Sequence, residues 1–254
     1  MKARIFSKKD YPEISKIYKN FEVVENGEEV TFAIGGDGTV LKAMKLVSSP
    51  IVAIKGKEGD SLGFKAQFSI NEIDEAIKLV KSKNFKIEKF HLVEGFVKNQ
   101  RFFGGNEIGI IASTEREIHF EVYYKKQKEE KFKKLYQYPL VGSGIIFVSR
   151  FGSSAWNRKL GGPLLLEEGI VIQPIACDVA FPFVATSEYE FFVKVLKGKA
   201  KIVSDGEKIM DSNFLRVKLS EKYASLVVRR ENIYNFLNLL KFYINGISRG
   251  GRIR

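Results

Sequence analysis

"VTFAIGGDGTVLKAM", residues 30–44, decides the fold. Its first five residues form a short, β-branched apolar run, the pattern of a strand covered on both faces in a parallel sheet. Glycines follow at 35, 36 and 38, and then Val40, Leu41, Met44 and Val47 recur at helical spacing. A strand that ends in a glycine loop and turns into a helix is the building unit of open α/β sheets, which bind ligands at the carboxyl ends of their strands. Helix N–H groups attract anions there, and glycine lets the chain approach a phosphate closely. Two familiar phosphate cradles are nonetheless excluded. No Gly-Lys-Ser/Thr is present, and Leu41 occupies the last glycine position of GxGxxG.

Asp37 at the centre of the loop needs its own explanation, because a carboxylate repels phosphate. In phosphoryl transfer to an alcohol the attacking hydroxyl needs an acceptor, and a carboxylate can orient it and take its proton. An acid beside a phosphate cradle therefore makes sense where the acceptor hydroxyl sits at the same loop. The other reading is an Asp that merely closes a glycine-rich turn.

Outward from this stretch, "ARIF" (3–6) and "PIVAIKG" (50–56) read as strands, and "YPEISKIYKNF" (11–21) and "INEIDEAIKLVKSK" (70–83) as helices. From about residue 87 the pattern changes to short strands separated by turn residues: "NEIGIIA", "EIHFEVYY", "SGIIFVS", "GIVIQPIA", "EFFVKVL", "AKIVS", "FLRVKLS" and "ASLVV". "EFFVKVL-KGK-AKIVS" reads as a hairpin about Gly198. "ENIYNFLNLLKFYIN" (231–245) reads as a helix. The expected architecture is an α/β domain with a parallel, Rossmann-like sheet (1–86 and 229–254) and a larger antiparallel β-rich domain (87–228). The C-terminal helix is expected to pack back on the first.

The 254 residues carry a net charge of +12 and a single cysteine, Cys177. The charge suits an anionic partner or a solvated lysine-rich surface. Zinc-ligand spacing and RNA-binding aromatic signatures are absent, so no nucleic-acid partner is expected. "MKARIFSKKD" has no apolar core and no run is long enough to span a membrane. With one cysteine, this predicts a cytoplasmic protein without a membrane partner. Abundant Lys, Glu and Ile resemble the usage of a thermophile.

Five motifs in order resemble the NAD kinases, a family that phosphorylates the 2′-hydroxyl of the adenosine ribose of NAD to make NADP. They are "GGDGTVLKA", "KGKEGDSLGF", "GGNEIGI", "SGIIFVSRFGSSAWNRKLGGPLL" and "VSDGE", spread over about residues 30–210. The resemblance is to prokaryotic members, with the composition pointing to a thermophilic archaeal one. It implies ATP, or inorganic polyphosphate in some members, as donor, together with a divalent metal, Mg²⁺ being expected. It implies Asp37 at the 2′-hydroxyl, with Gly36, Gly38, Thr39 and Leu41 lining the substrate region. Asn106 and Glu107 would hold adenine and ribose, with Phe64 near the adenine. Ser154, Ala155 and Trp156 would line the nicotinamide side. Asp205 is a candidate second carboxylate, and equally a plain Asp-Gly turn. NAD, NADP and ATP are the implied ligands, and the family's homodimers or homotetramers complete each site from a neighbouring subunit.

Departures cluster on the nicotinamide side. Ser143 replaces the family's usual Asp, Ser149-Arg150-Phe151 replaces Thr-Pro-Thr, Trp156 a Tyr, and Lys159 a Ser. Competing readings are a lipid kinase of the diacylglycerol or sphingosine type, which shares Gly-Gly-Asp-Gly-Thr, and a non-catalytic dinucleotide sensor. In the lipid kinases Asn-Glu follows the first motif almost directly, whereas here "VLKAM" does. Binding alone would not require Asp37.

Overall fold

The structure, a computed structural model, describes residues 1–56, 66–178 and 180–228. The expected helix at 231–245 lies outside the described residues. The described residues divide into two compact units, Met1–Lys89 together with those from Ser225 to Val228, and Phe90–Ala224.

The first unit contains β1 (Lys2–Ser7), α1 (Ser15–Asn20), β2 (Glu22–Val23), β3 (Val30–Gly35), α2 (Asp37–Leu46), β4 (Ile51–Lys55), β5 (Phe68–Ser69) and α3 (Ile73–Lys81). Its strands are parallel in the order β5-β4-β3-β1-β2. Leu226 pairs in parallel with Ile51. All six residues of β3 are buried, as expected of a parallel strand covered on both faces. Ser69 and Glu72 close a capping box ahead of α3, which turns Ile73, Ala76, Ile77 and Val80 inward. Phe32, Ile34, Val52, Ile54 and Ile73 meet in one core. Ile34 anchors the end of β3 just before the glycines and is fully buried. Ile34→Val should lower stability by about 0.5–1.5 kcal/mol in urea unfolding. No loss would mean that the end of β3 packs loosely.

The antiparallel region starts with β6 (Lys86–Val97), β7 (Gln100–Gly104), β8 (Glu107–Ala112), β9 (Ile118–Lys126), β10 (Lys133–Lys134), β11 (Leu140–Gly142) and β12 (Gly144–Val148). It continues through α4 (Trp156–Lys159), β13 (Ile170–Ile175), β14 (Phe183–Ala185), β15 (Tyr189–Lys197), β16 (Ala200–Ser204), β17 (Glu207–Asp211) and β18 (Phe214–Val228). One sheet runs β14-β13-β12-β8-β16-β17. In the other set β9 pairs with β10, β11 and β15, β15 pairs with β18, and β6 pairs with β18 and β7. Phe120, Phe147, Phe191, Ile202 and Leu215 fill the core of this unit.

Two local expectations change here. β15 and β16 do not pair with each other: β15 pairs with β9 and β18, and β16 with β8 and β17. Gly198, at φ +97°, turns the chain from one sheet into the other. The second change is that "FLRVKLS" and "ASLVV" belong to the single strand β18. No glycine or proline interrupts 214–228, so nothing in the backbone stops the ladder between them.

Candidate active site

Asp37 is the first residue of α2, directly behind β3. Gly36 caps the helix in an extended conformation, φ −90° and ψ −179°, and the Thr39 N–H donates to its carbonyl at 3.0 Å. Gly35 has φ +140°, and a Cβ there would come within 2.9 Å of Thr39 Oγ1. Both facts require glycine. At Gly38 a Cβ would meet nothing within 4 Å, so this backbone is open to whatever approaches. Thr39 and Leu41 turn into the protein, at 5% and 7% exposure. The reachable part of the loop is therefore Gly36, Asp37 and Gly38. An acidic residue in the first turn also complements the helix dipole.

In the second unit, Asn106 immediately precedes β8 and Glu107 opens it, almost fully buried. Two segments distant in sequence, 149–152 and Asp205, fix this turn. The Ser149 hydroxyl donates to Gly105 O at 2.6 Å and accepts the Gly152 N–H at 3.0 Å, while the Ser149 N–H donates to Asn106 O at 2.9 Å. Gly152 presses against Asn106: a Cβ there would collide with the Asn106 carbonyl oxygen. The Asp205 carboxylate accepts the N–H groups of Gly105 and Asn106 at 3.1 and 2.7 Å. The structure thus brings Asn106, Glu107 and Asp205 together. The family threonine replaced by Ser149 needs only its hydroxyl here, so this departure is mild.

Ser154, the last residue of a 3-10 turn (Phe151–Ser154), and Ala155, between that turn and α4, are half-buried. Trp156 packs against Ile146, Val148 and Val171. Ser143 is stitched into the sheet, its N–H donating to Ile175 O and its carbonyl accepting from Ala112 N–H, both at 2.9 Å. Arg150 is engaged within its own unit, 3.5 Å from Glu168 and over the Phe90 ring. Lys159 is exposed in the last turn of α4. Phe64 lies outside the described residues.

Asn157 escapes a reading of the sequence. Fully buried, it donates from Nδ2 to Ser153 O at 3.1 Å and Pro163 O at 2.8 Å. A Cβ on Gly162 would strike its Oδ1. This staple ties the Gly-Gly-Pro turn to α4, and its only sequence signal is a polar residue at the spacing of an inward helix position. Cys177 is likewise structural: its Sγ lies 3.5 Å from Ile175 O, and burial pushes the thiol above its ordinary range. A raised pKa means less thiolate at a given pH, so iodoacetamide at pH 8 should modify Cys177 more slowly than free cysteine. A rate equal to free cysteine would contradict that burial.

Among the described residues no group of three or more His, Cys, Asp or Glu is arranged to hold a metal ion. No described helix is long and apolar enough to cross a membrane.

No family model matches the chain. An NAD kinase of Wolinella succinogenes is 29% identical over 228 residues, 85% of this chain and 76% of that one. An NAD kinase of Sulfurisphaera tokodaii is 29% identical over 95% of this chain and 98% of its own. Among solved structures, an NAD kinase from Archaeoglobus fulgidus in complex with ATP superposes with a TM-score of 0.76 at 19% identity, covering 95% and 99% of the two chains. Yeast NADH kinase complexed with NADH gives 0.79 at 15%, covering 100% and 89%. In the order of its motifs, along most of its length and in its fold, this chain is similar to NAD kinases.

Proposed function

We propose that the chain is an NAD kinase, transferring the γ-phosphoryl of ATP to the 2′-hydroxyl of the adenosine ribose of NAD. One observation carries the reading: an aspartate opens a helix directly behind a central parallel strand, on a glycine loop whose accessible part is Gly36-Asp37-Gly38. A purely phosphate-binding loop has no use for that carboxylate. The relatives' names support the same activity.

In the reaction the 2′-oxygen attacks the γ-phosphorus, the bond from that phosphorus to the β–γ bridging oxygen breaks, and ADP leaves. Asp37 accepts or orients the hydroxyl proton. The N–H groups of the loop at Gly36 and Gly38 face the phosphates, and the helix dipole of α2 favours their charge. Asn106 offers an amide to the adenine edge and Glu107 a carboxylate to ribose hydroxyls. Ser154, Ala155 and Trp156 line the nicotinamide side, and Ser143 and Lys159 stand at its margin. A bound Mg²⁺ would be held chiefly by the ATP phosphates and would neutralise their charge.

In this reading residues 1–86 with 229–254 carry the phosphoryl-transfer loop, and 87–228 bind the dinucleotide and self-associate as a homodimer or homotetramer in the cytoplasm. The test is NADP formation from NAD, ATP and Mg²⁺ by the purified chain. Absence of NADP with both ATP and inorganic polyphosphate would overturn it.

A further inference from the structure

We infer that Asp205 is a positioning residue for dinucleotide recognition, acting through the Gly105–Glu107 turn; this rests on the NAD kinase reading. The contact is reciprocal. The carboxylate accepts the Gly105 N–H on Oδ2 and the Asn106 N–H on Oδ1, one amide per oxygen, and the Asp205 N–H donates to Glu107 O at 3.1 Å. Three bonds thus bridge residues about a hundred positions apart. Hydrogen bonds to an ionised carboxylate are roughly twice as strong as neutral ones.

The carboxylate is itself presented rigidly. Asp205 and Gly206 are the two residues between the paired Ser204 and Glu207, with φ of 51° and 80°. Positive φ at both positions is the signature of a type I′ hairpin. The tip therefore fixes the carboxylate, and the carboxylate fixes the turn that ends in Asn106 and Glu107. On the opposite side Ser149 holds Gly105 O and Asn106 O. With N–H and carbonyl groups both engaged, the peptide planes at 105–107 cannot rotate without breaking bonds. The two side chains proposed to read the adenosine then leave a fixed backbone.

Two variants separate this role from hairpin stability. Asp205→Asn keeps a residue tolerant of positive φ but supplies one acceptor oxygen instead of two. Asp205→Gly keeps the turn and removes both. The experiment measures NADP formation with NAD and ATP varied separately, alongside amide hydrogen exchange at Gly105 and Asn106. In Asp205→Gly the KM for NAD should rise about tenfold and in Asp205→Asn about threefold, with the KM for ATP unchanged. Exchange at the two amides should accelerate in the same order. An unchanged KM for NAD in a folded Asp205→Gly overturns the inference, as does a fall in kcat with both KM values unmoved. If Asp205→Gly does not fold, unchanged KM and exchange in Asp205→Asn overturn it. A wild type that forms no NADP sinks the kinase reading instead.

Discussion

Asp37→Asn is expected to lower kcat for NADP formation by roughly 10²–10⁴ while the dissociation constant for NAD stays nearly the same. The substitution is isosteric, so the shape of the loop is preserved. What disappears is the ability to accept a proton from, or strongly orient, a hydroxyl. The structural side effect is small. Asp37 lies in the first turn of α2, where a negative charge contributes about 0.3–1 kcal/mol through the helix dipole. An amide forfeits that contribution while keeping the side chain's shape, so the variant should melt within a few degrees of the wild type. Measuring kcat, NAD binding by calorimetry and thermal melting on one preparation separates the effects. A kcat within a few fold of wild type would mean that Asp37 serves only the turn. Loss of NAD binding in step with kcat would make it a binding residue.

Much of the fold and of the site is legible in the sequence, and the parts that are not share a physical cause. The strand, glycine loop and helix at 30–46 are local: periodicity and glycine positions within that short span specify them. Asp37 stands out for the same reason, as an acid in a setting that disfavours acids. Contacts distant in sequence leave no such mark. Asp205-Gly206 reads as a turn from its own residues, but its grip on Gly105 and Asn106 crosses about a hundred positions. The hydroxyl of Ser149 resembles a departure from the family pattern until its bond to Gly105 O is seen. Gly198 looks like a hairpin tip because strands flank it closely. Whether those strands pair or part into different sheets depends on partners elsewhere in the chain. β6 alternates too irregularly to be recognised, because Leu92, Val93, Glu94 and Gly95 are buried in succession.

Gly152→Ala should have the second large effect, on stability and on NAD affinity together. A Cβ at this position would collide with the carbonyl oxygen of Asn106 and crowd its carbonyl carbon and Cα. All three are backbone atoms in a turn already held by Ser149 and Asp205, so no flexible side chain can swing aside. The backbone must move as a piece, and overpacking of this kind costs about 1–3 kcal/mol. Because the displaced residue is Asn106, the KM for NAD should rise by at least tenfold, roughly the equivalent of 1.4 kcal/mol or more, with the KM for ATP less affected. Gly38→Ala supplies the contrast. A methyl group there meets nothing within 4 Å, and alanine in a helix is favoured over glycine by about 0.5–1 kcal/mol. That variant should be at least as stable as the wild type in urea, yet it should weaken ATP-dependent turnover, because the added methyl stands where a phosphate approaches the backbone. If Gly152→Ala keeps both its stability and its KM for NAD, the turn at Asn106 is not the rigid reader proposed. If Gly38→Ala turns over normally, phosphate does not reach the backbone of this loop.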